Sequence, residues 1–457
     1  MSFARQQRRG KAARRPAGSC IAAGLLMALG CSVAAADPPD ASGAQPTIPP
    51  QGVLPPDVAA KTAPAPSENW LTRWFDPSKA PFIPVPLIGS DPNSGTTLGI
   101  LPVWLKSNDD HEISQIIAPD VLHNPYFGWG ADARIYAYSS SDEQWSVDTG
   151  FNEKVQRDFE ALYQDGRLRD QRWSTNYSFI YDRSGTPRFY GVGNESLAIS
   201  ETNYTNSEEL AQVQIGLNLN HEWQILYTGR LIYDDVTPGT LAGIDSIETR
   251  FGRILGVGTN NQILNRLSLV YDTRDDLVVP THGMEWVAYG GGAARHGFLN
   301  DSMYSEAGLD GRDFWTVSEG TVLATHMAIR YMPSSHEVPF WALSSLGGGS
   351  SAVGGEQPLR GYGEGRFYDR NSFSTSLELR HTVLSFDAVT TRVDVEMAPF
   401  VDLGRVFSRT NTDPFEQLHH VFGVGFRGIA RPFVVGKVDI GYGNEGVAVF
   451  TGLNYPF

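Results

Sequence analysis

Cysteine is nearly absent from this sequence. The 457 residues include two cysteines, Cys20 and Cys31, and both lie near the N-terminus. If that segment is removed, no disulfide or thiolate metal site can form in the remaining chain. Long apolar runs are missing too, because no stretch beyond the first 36 residues has the roughly 18 apolar residues of a membrane-spanning helix. If the chain spans a membrane, it must do so as a closed β-barrel, since lipid offers no partner for unpaired strand edges.

Basic residues are scarce, and catalytic motifs are missing. The chain has 36 Lys and Arg residues against 51 Asp and Glu, which argues against nucleic acid as a partner. His419 and His420 are adjacent, so in a strand they point to opposite faces and cannot bind one metal together. The stretch at 191–196 has no helix after it to complete a dinucleotide loop, and no serine lies in a nucleophile elbow. We expect no enzymatic activity, no metal and no cofactor; an outer-membrane lipase or protease with a site assembled only in space is the alternative.

Residues 1–36 have the pattern of a secretory signal peptide. A basic start precedes an apolar segment from Ile21 to Leu29, and three alanines predict cleavage after Ala36. A lipoprotein signal at Cys31 is the alternative, although Ala28 stands where such signals favour leucine. The following residues, 37–94, are predicted to be a proline-rich periplasmic linker, because proline disfavours helices and central strands.

The segment 95–457 has the pattern of an all-β protein. Alternation of apolar and polar residues with period two indicates strands that have one face of each kind. An even strand number is expected for a single-chain bacterial barrel with both ends in the periplasm, so sixteen strands are predicted. One segment, expected within 96–166, is then a turn, a loop hairpin or half of a longer strand. A soluble sandwich is the alternative. Seventeen segments show the strand pattern: 96–106, 112–121, 129–140, 144–154, 157–166, 171–183, 208–219, 222–234, 262–274, 283–293, 301–315, 320–332, 371–384, 392–407, 418–429, 433–443 and 446–456.

A glycine-rich stretch followed by a strong strand pattern stands out at 346–383. Glycines recur between Gly347 and Gly365, which allows close backbone approach in a confined space. Arg360, Gly361 and Tyr362 lie near the middle of this stretch. In the following strand Glu378 falls on the polar face.

Four further motifs accompany that stretch. The first, at 271–283, joins two strands and contains Asp272, Arg274, Pro280 and Gly283, of which Pro280 and Gly283 supply turn chemistry. The second, at 400–407, places Asp402 on the face opposite Val401 and Leu403. The third is the FYGVGNES stretch at 189–196. The fourth is the chain end, where Leu453, Tyr455 and Phe457 alternate as in the C-terminal sorting signal of outer-membrane barrels.

Together these motifs resemble the BamA/TamA superfamily of outer-membrane barrels, also called the bacterial surface antigen family. The resemblance implies a transmembrane antiparallel β-barrel whose long glycine-rich loop folds into the lumen. It also implies that Arg360 of the Arg360-Gly361-Tyr362 motif pairs with Glu378 and Asp402. Such two-pronged pairing suits arginine better than lysine. Arg366 and Arg370 have no matched partners in the sequence.

The resemblance further implies a location in the bacterial outer membrane and a role in inserting or translocating proteins or lipids through a weak seam between the first and last strands. Expected partners are outer-membrane lipid, the barrel assembly machinery during biogenesis, and a protein or lipid cargo. Residues 37–94 leave no room for periplasmic polypeptide-binding modules. A passive channel or porin and a purely structural barrel are the alternatives.

Overall fold

The computed structural model describes residues 83–107, 113–140, 142–252, 254–295, 302–335, 337–348, 358–388, 391–430, 433–452 and 455–457. The predicted signal peptide, its cleavage site after Ala36, residues 37–82 of the predicted linker and the glycines at 349–357 lie outside the described residues. So does Leu453. No helix among the residues described is long and apolar enough to cross a membrane.

The described residues form a nearly closed antiparallel barrel. Eighteen strands follow one another in the order of the chain, each paired with the next. They are β1 Ile83–Asp91, β2 Gly95–Ser107, β3 Ile113–Asn124, β4 Gly128–Tyr138, β5 Gln144–Asn152, β6 Arg157–Asp165, β7 Trp173–Ser184, β8 Thr202–Asn218, β9 Trp223–Pro238, β10 Gly258–Asp272, β11 Gly283–Ala294, β12 Ser302–Ser318, β13 Thr321–Tyr331, β14 Asn371–Ala388, β15 Thr391–Phe407, β16 His419–Ala430, β17 Phe433–Gly443 and β18 Gly446–Gly452.

The predicted sixteen strands are corrected to eighteen. Each of the seventeen predicted segments contains a strand, so no segment within 96–166 is a turn. The strand that makes the number even is β1, which lies inside the predicted linker 37–94. It was missed because Pro84 and Pro86 argue against a strand that is paired on both sides, whereas β1 pairs in register with β2 alone. The barrel therefore includes Ile83–Asp91, ahead of the predicted start at residue 95.

The two faces of the strands differ as the alternation predicts. Large apolar side chains such as Trp129 (59% exposed) and Leu267 (58% exposed) lie on the outer face. Their neighbours along the strands, such as Ser268 and Asp272, are buried. Because one face of every strand is apolar and exposed, the barrel presents a continuous apolar exterior of the kind that lipid requires.

Short elements occur at the end of the barrel where β7, β9 and β13 finish. An α-helix spans Ile247–Phe251, and 3-10 turns span Ala198–Ser200 and Phe340–Ala342. A small hairpin pairs Ser344–Leu346 with Phe367–Asp369. The turn 273–282 lies at the opposite end of the barrel, toward which β18 also runs, so strand order puts this turn and the start of the glycine-rich loop at different ends.

Candidate functional site: an arginine lock beneath the glycine-rich loop

The loop 332–370 joins β13 to β14 and makes close contact with the polar faces of neighbouring strands. A Cβ on Gly361 would lie 2.8 Å from the Val421 side chain, and a Cβ on Gly441 would lie 2.1 Å from the Arg360 carbonyl oxygen. Both positions therefore require glycine, because any side chain would push the loop away from β16 and β17. Leu359, beside them, has a φ of +60°, a left-handed conformation that is rare for leucine.

Arg360 makes the predicted pairing. The guanidinium donates to both oxygens of Asp402, at 2.9 Å from Nε and 2.7 Å from Nη2, and also to Glu378. The Arg360 backbone N–H donates to the same carboxylate at 3.0 Å. Ser376 Oγ accepts from Nη2 and donates to Asp402. Arg360 is completely buried, so nearly every donor of the guanidinium is fixed by a group on β14 or β15.

Sequence reasoning missed the second half of this cluster. Arg380 Nε donates to Glu378 at 2.9 Å, and Arg427 Nη2 donates to Glu378 at 3.0 Å. Arg427 also lies 2.8 Å from Asp439, which is 3.5 Å from Arg360. The lock cluster therefore contains three arginines and three carboxylates: Arg360, Arg380, Arg427, Glu378, Asp402 and Asp439. The available signal was their shared position on the polar faces of β14 to β17. Arg380 also closes the SLELR motif at 376–380, but the motif does not indicate which side chains it meets.

The charges of the lock cluster balance one another. Burial by itself would lower the pKa of Arg360, but Asp402 and Glu378 raise it above its usual value. The guanidinium therefore stays charged. Its carbon lies 3.5 Å from the centre of the Phe400 ring, a cation–π contact in the same buried site. Because three positive groups face three negative ones, the cluster avoids the cost of an unpaired buried charge.

Apolar side chains complete the same site. Tyr362 and Leu359 from the loop pack with Phe400 and Val421 from the wall. The Tyr362 hydroxyl accepts a hydrogen bond from the backbone N–H of Asn444. The tyrosine of the motif thus anchors the loop to the turn between β17 and β18.

A second arginine of the loop is also fixed, contrary to the expectation for Arg366. Its guanidinium makes a two-pronged contact with Glu445, at 2.8 Å from Nε and 2.6 Å from Nη2. Nη1 and Nη2 donate to the hydroxyl and carbonyl of Ser196. Arg366 therefore has a matched partner 79 residues away, whereas Arg370 is exposed as expected.

The FYGVGNES stretch at 189–196 binds the outer part of the same loop. Phe189 packs in an aromatic cluster with Tyr204, Phe340 and Tyr368. The Gly193 N–H donates to the Tyr368 carbonyl at 2.7 Å. Because these contacts come from the loops after β7 and β13, they join parts of the barrel wall that are six strands apart.

The turn motif at 271–283 is well ordered by its own side chains. Arg274 makes a two-pronged contact with Asp272. Gly283 has a φ of +93°, and a Cβ there would lie 2.2 Å from the Thr273 carbonyl oxygen. Pro280 is buried, and the neighbouring Val279 packs with Ile429. The motif is therefore a structural turn whose apolar tip contacts the polar-face side of β16.

The alternation of Leu453, Tyr455 and Phe457 predicts that the last strand continues to the chain end. Residues 455–457 do not form part of that strand. The last described pair of β18 joins Gly452 to Lys437. Tyr455 lies against Arg380, 3.8 Å from ring centre to guanidinium carbon, and its hydroxyl donates to Glu396 at 3.1 Å. Phe457 stacks on His326 with 5.4 Å between ring centres. The end of the chain thus turns onto the polar faces of β13 to β15, beside the lock cluster.

No group of three His, Cys, Asp or Glu side chains within the described ranges is placed to hold a metal ion. The site holds the part of the loop around Arg360 against β14 to β17, through charge pairs and apolar packing.

Comparison with known proteins identifies the family. The family model described as the Omp85 superfamily domain matches residues 126–441, which is more than half of the chain. The chain belongs to the Omp85 superfamily. The resemblance to the BamA/TamA type is thereby confirmed, and the fold is that of an outer-membrane protein. No curated protein matches the chain.

Three of the solved structures that the chain is similar to are a BamA and two CdiB proteins. BamA from Haemophilus ducreyi lacking POTRA domains 1-3 has a TM-score of 0.49 at 14% identity, covering 78% of this chain and 75% of that one. CdiB from Escherichia coli has a TM-score of 0.42 at 11% identity, covering 80% and 61%. CdiB from Acinetobacter baumannii has a TM-score of 0.40 at 13% identity, covering 81% and 58%.

Proposed function

We propose that this Omp85-superfamily barrel inserts or translocates proteins or lipids at the outer membrane, and that the cargo passes through the seam between β1 and β18. The chemistry of that seam is the observation that supports the proposal. We also propose that the chain acts without catalysis or a cofactor, assisted during biogenesis by the barrel assembly machinery.

The seam is weaker than the other strand pairs. Within the described parts of β1 and β18, no backbone register joins the two strands. A hydrogen bond across the seam runs from the Ser90 N–H to the hydroxyl of Thr451, at 2.6 Å. Because alternate residues of a strand point their N–H groups the same way, positions 84 and 86 also face the seam. Both are proline and have no N–H to donate.

The lock cluster supports the same function from the other side. We infer that the loop 332–370 is folded into the lumen, where Arg360 connects it to β14, β15 and β17. These strands form the wall next to the seam, and the cluster holds them in a fixed arrangement. The seam itself receives no member of the cluster. A rigid wall beside a weakly paired edge allows local opening without loss of the barrel.

A passive channel is the alternative function. A porin needs an open lumen with its inner loop lying flat against the wall. The loops after β7, β9 and β13 pack together around Phe189, Ile247 and Phe340. They meet one another across one end of the barrel instead of lying flat against the wall, and this favours insertion or translocation over a porin.

A reversible covalent lock of the seam tests the proposal. Ser90→Cys with Thr451→Cys places two thiols across the seam in a chain whose other cysteines lie in the predicted signal peptide. We expect that oxidation in cells lowers the amounts of dependent outer-membrane or surface molecules, measured by quantitative proteomics and lipid analysis, and that a reductant restores them.

The matched control is Gln214→Cys with Thr228→Cys, which joins β8 to β9, a pair already held in full register. This disulfide should have no effect. If the oxidised seam variant supports the same outer-membrane composition as its reduced form, passage through the seam is wrong. A passive channel would in addition retain its conductance in planar bilayers when the seam is locked.

A further inference from the structure

A row of acidic side chains crosses seven consecutive strands, from β3 to β9, far from the lock cluster in the chain. Each member lies directly opposite the next in the strand register, with a single glycine in the row. We call this row the acidic strip, and it consists of Asp120, Asp132, Gly150, Asp158, Asp182, Glu208 and Asp234.

The acidic strip lies on the inner face of the wall. Trp129, Phe151, Phe159 and Phe179 are exposed on the outer face of β4 to β7. All four have odd numbers, and the acidic residues of the same strands have even numbers. Since successive side chains of a strand point to opposite faces, the carboxylates face the interior, where most of them are partly accessible.

The strip has too few cations to balance it. Arg134 contacts Asp120 at 2.5 Å and Asp132 at 2.9 Å, and it also contacts the neighbouring Asp148. Among the residues described, no salt bridge reaches the four remaining carboxylates, at positions 158, 182, 208 and 234, and Arg230 is the cation close enough to attract Glu208. The lock cluster, by contrast, has equal numbers of arginines and carboxylates, so the imbalance is particular to this half of the wall.

The glycine in the row lets the carboxylates crowd together. Asp132 Oδ1 lies 2.2 Å, and Asp158 Oδ1 2.7 Å, from the position that a Cβ on Gly150 would take. Both carboxylates therefore lean over the same glycine. Like charges directly opposite one another destabilise a sheet, so this arrangement costs free energy unless a cation is nearby.

Asp234 is a second observation that points to a ligand. It is completely buried, no hydrogen bond of ordinary length reaches either of its carboxylate oxygens, and the Asn206 side chain is a polar group beside it. Oδ1 of Asp120, at the other end of the strip, also lacks a hydrogen-bond partner. Burying a carboxylate that lacks such partners is expensive, so a cation that reaches Asp234 and the partly accessible carboxylates beside it gains free energy.

We propose that the acidic strip binds an extended polycation, a flexible chain that carries several ammonium or guanidinium groups. Neighbouring strands lie about 4.8 Å apart, so successive carboxylates offer charges at that spacing along the inner wall. A single metal ion fits less well, because no three acidic or histidine side chains in the described parts converge on one point. A lysine- and arginine-rich polypeptide segment and a free polyamine share this chemistry.

Binding of two probes to the full mature barrel in detergent tests the proposal. The first is a fluorescent peptide with lysine at every second position, and the second is spermine as its competitor. We expect the peptide to bind at low ionic strength and to be released by salt. Asp158→Asn, Asp182→Asn and Glu208→Gln together should weaken binding about tenfold, because each partly exposed charge pair contributes modestly to binding.

The matched control carries the same charge change at exposed loop carboxylates: Asp170→Asn, Glu195→Gln and Glu248→Gln. It should bind the peptide as the parent does. Displacement by micromolar spermine would identify a small polyamine as a sufficient ligand. Failure of spermine to compete, together with loss of peptide binding in the strip variant, would identify a polypeptide as the ligand.

Thermal unfolding gives a second readout. The peptide should raise the unfolding temperature of the parent but not that of the strip variant. Without the peptide, the strip variant should be at least as stable as the parent, because it has lost repulsion. Equal peptide binding by parent and strip variant, or no binding of either probe to a correctly folded parent, would overturn the proposal. Neither result would bear on passage through the seam, which is tested separately.

Discussion

Replacing Arg360 by alanine should detach the loop from the wall. The substitution removes the contacts from the guanidinium to Asp402, Glu378 and Ser376. It also leaves three buried carboxylates facing two arginines, so the lock cluster acquires a net negative charge. The hydrogen bond from the backbone N–H at position 360 to Asp402 can remain, which makes the variant a test of the side chain alone.

The size of the effect follows from the burial of the cluster. Breaking a buried ion pair by removing one partner costs about 3–5 kcal/mol, and the lost contact with the Phe400 ring adds to this. Water that enters the interior will solvate the carboxylates and reduce the cost. We therefore expect about 3 kcal/mol in the loop-docking equilibrium, which corresponds to a change of roughly a hundredfold.

Thiol labelling measures this equilibrium directly. Leu359 is completely buried, so in a Leu359→Cys background the thiol should react only when the loop opens. We expect Arg360→Ala to speed labelling by roughly a hundredfold and to lower the temperature of heat-modifiable gel migration. Arg360→Lys should fall between, because lysine keeps the charge but lacks the planar fork.

Arg370→Ala is the control, since Arg370 is exposed on the same loop and should leave labelling unchanged. If Arg360→Ala labels at the rate of this control and retains its heat stability and phenotype, the lock is wrong. Arg360 would then be an ordinary loop residue whose contacts contribute nothing measurable.

The remaining predictions concern the loop's outer contact, the turn, the topology and the chain end. Arg366→Ala should destabilise the barrel by only about 1 kcal/mol in thermal unfolding, because its partner Glu445 is partly exposed. A loss of stability as large as that of Arg360→Ala would contradict this prediction. Gly283→Ala should destabilise the folded barrel by roughly 1–3 kcal/mol, because alanine is strained at positive φ, and should therefore lower the yield of folded protein. An unchanged yield would show that the strain is absent. Thr281→Cys should react with an impermeant thiol reagent only in permeabilised cells, so labelling of intact cells would reverse the topology. Deleting Phe457 should reduce folded barrel in the outer membrane and increase periplasmic degradation, and unchanged levels would reject a sorting role.

The strand faces could be predicted from the sequence because the period of two is a local property. Glu378 and Asp402 were assigned to polar faces from the residues beside them, and the structure places both there. The pairing of Arg360 with Glu378 and Asp402 was predicted from the motif resemblance. Spacing alone does not indicate that a loop folds back onto the strands that follow it. Arg427 and Asp439 share the same polar faces, but nothing in the sequence indicates which polar residues meet.

The predictions that were wrong concern features that depend on neighbours in space and not on neighbours in the chain. β1 was taken for linker because its prolines disfavour a strand with two neighbours, and only the closing of the barrel shows that it has one full neighbour. The alternation predicts a last strand that extends to residue 456, yet residues 455–457 lie outside it. Tyr455 and Phe457 instead contact the polar faces of β13 to β15, and contacts between residues so far apart in the chain leave no local pattern. Arg366 lacked an evident partner because Glu445 lies 79 residues further along the chain.

By itself the sequence determined the local properties of this protein. These are strands with one apolar face, glycines where the backbone must pass closely, and the lack of apolar runs long enough for a membrane helix. These properties are set by residues one or two positions apart. Only the tertiary structure decided which strands close the barrel, which three arginines face which three carboxylates, and which half of the inner wall carries unbalanced charge. Those outcomes depend on the register of neighbouring strands and the return of a long loop, and both are fixed by contacts between residues far apart in the chain.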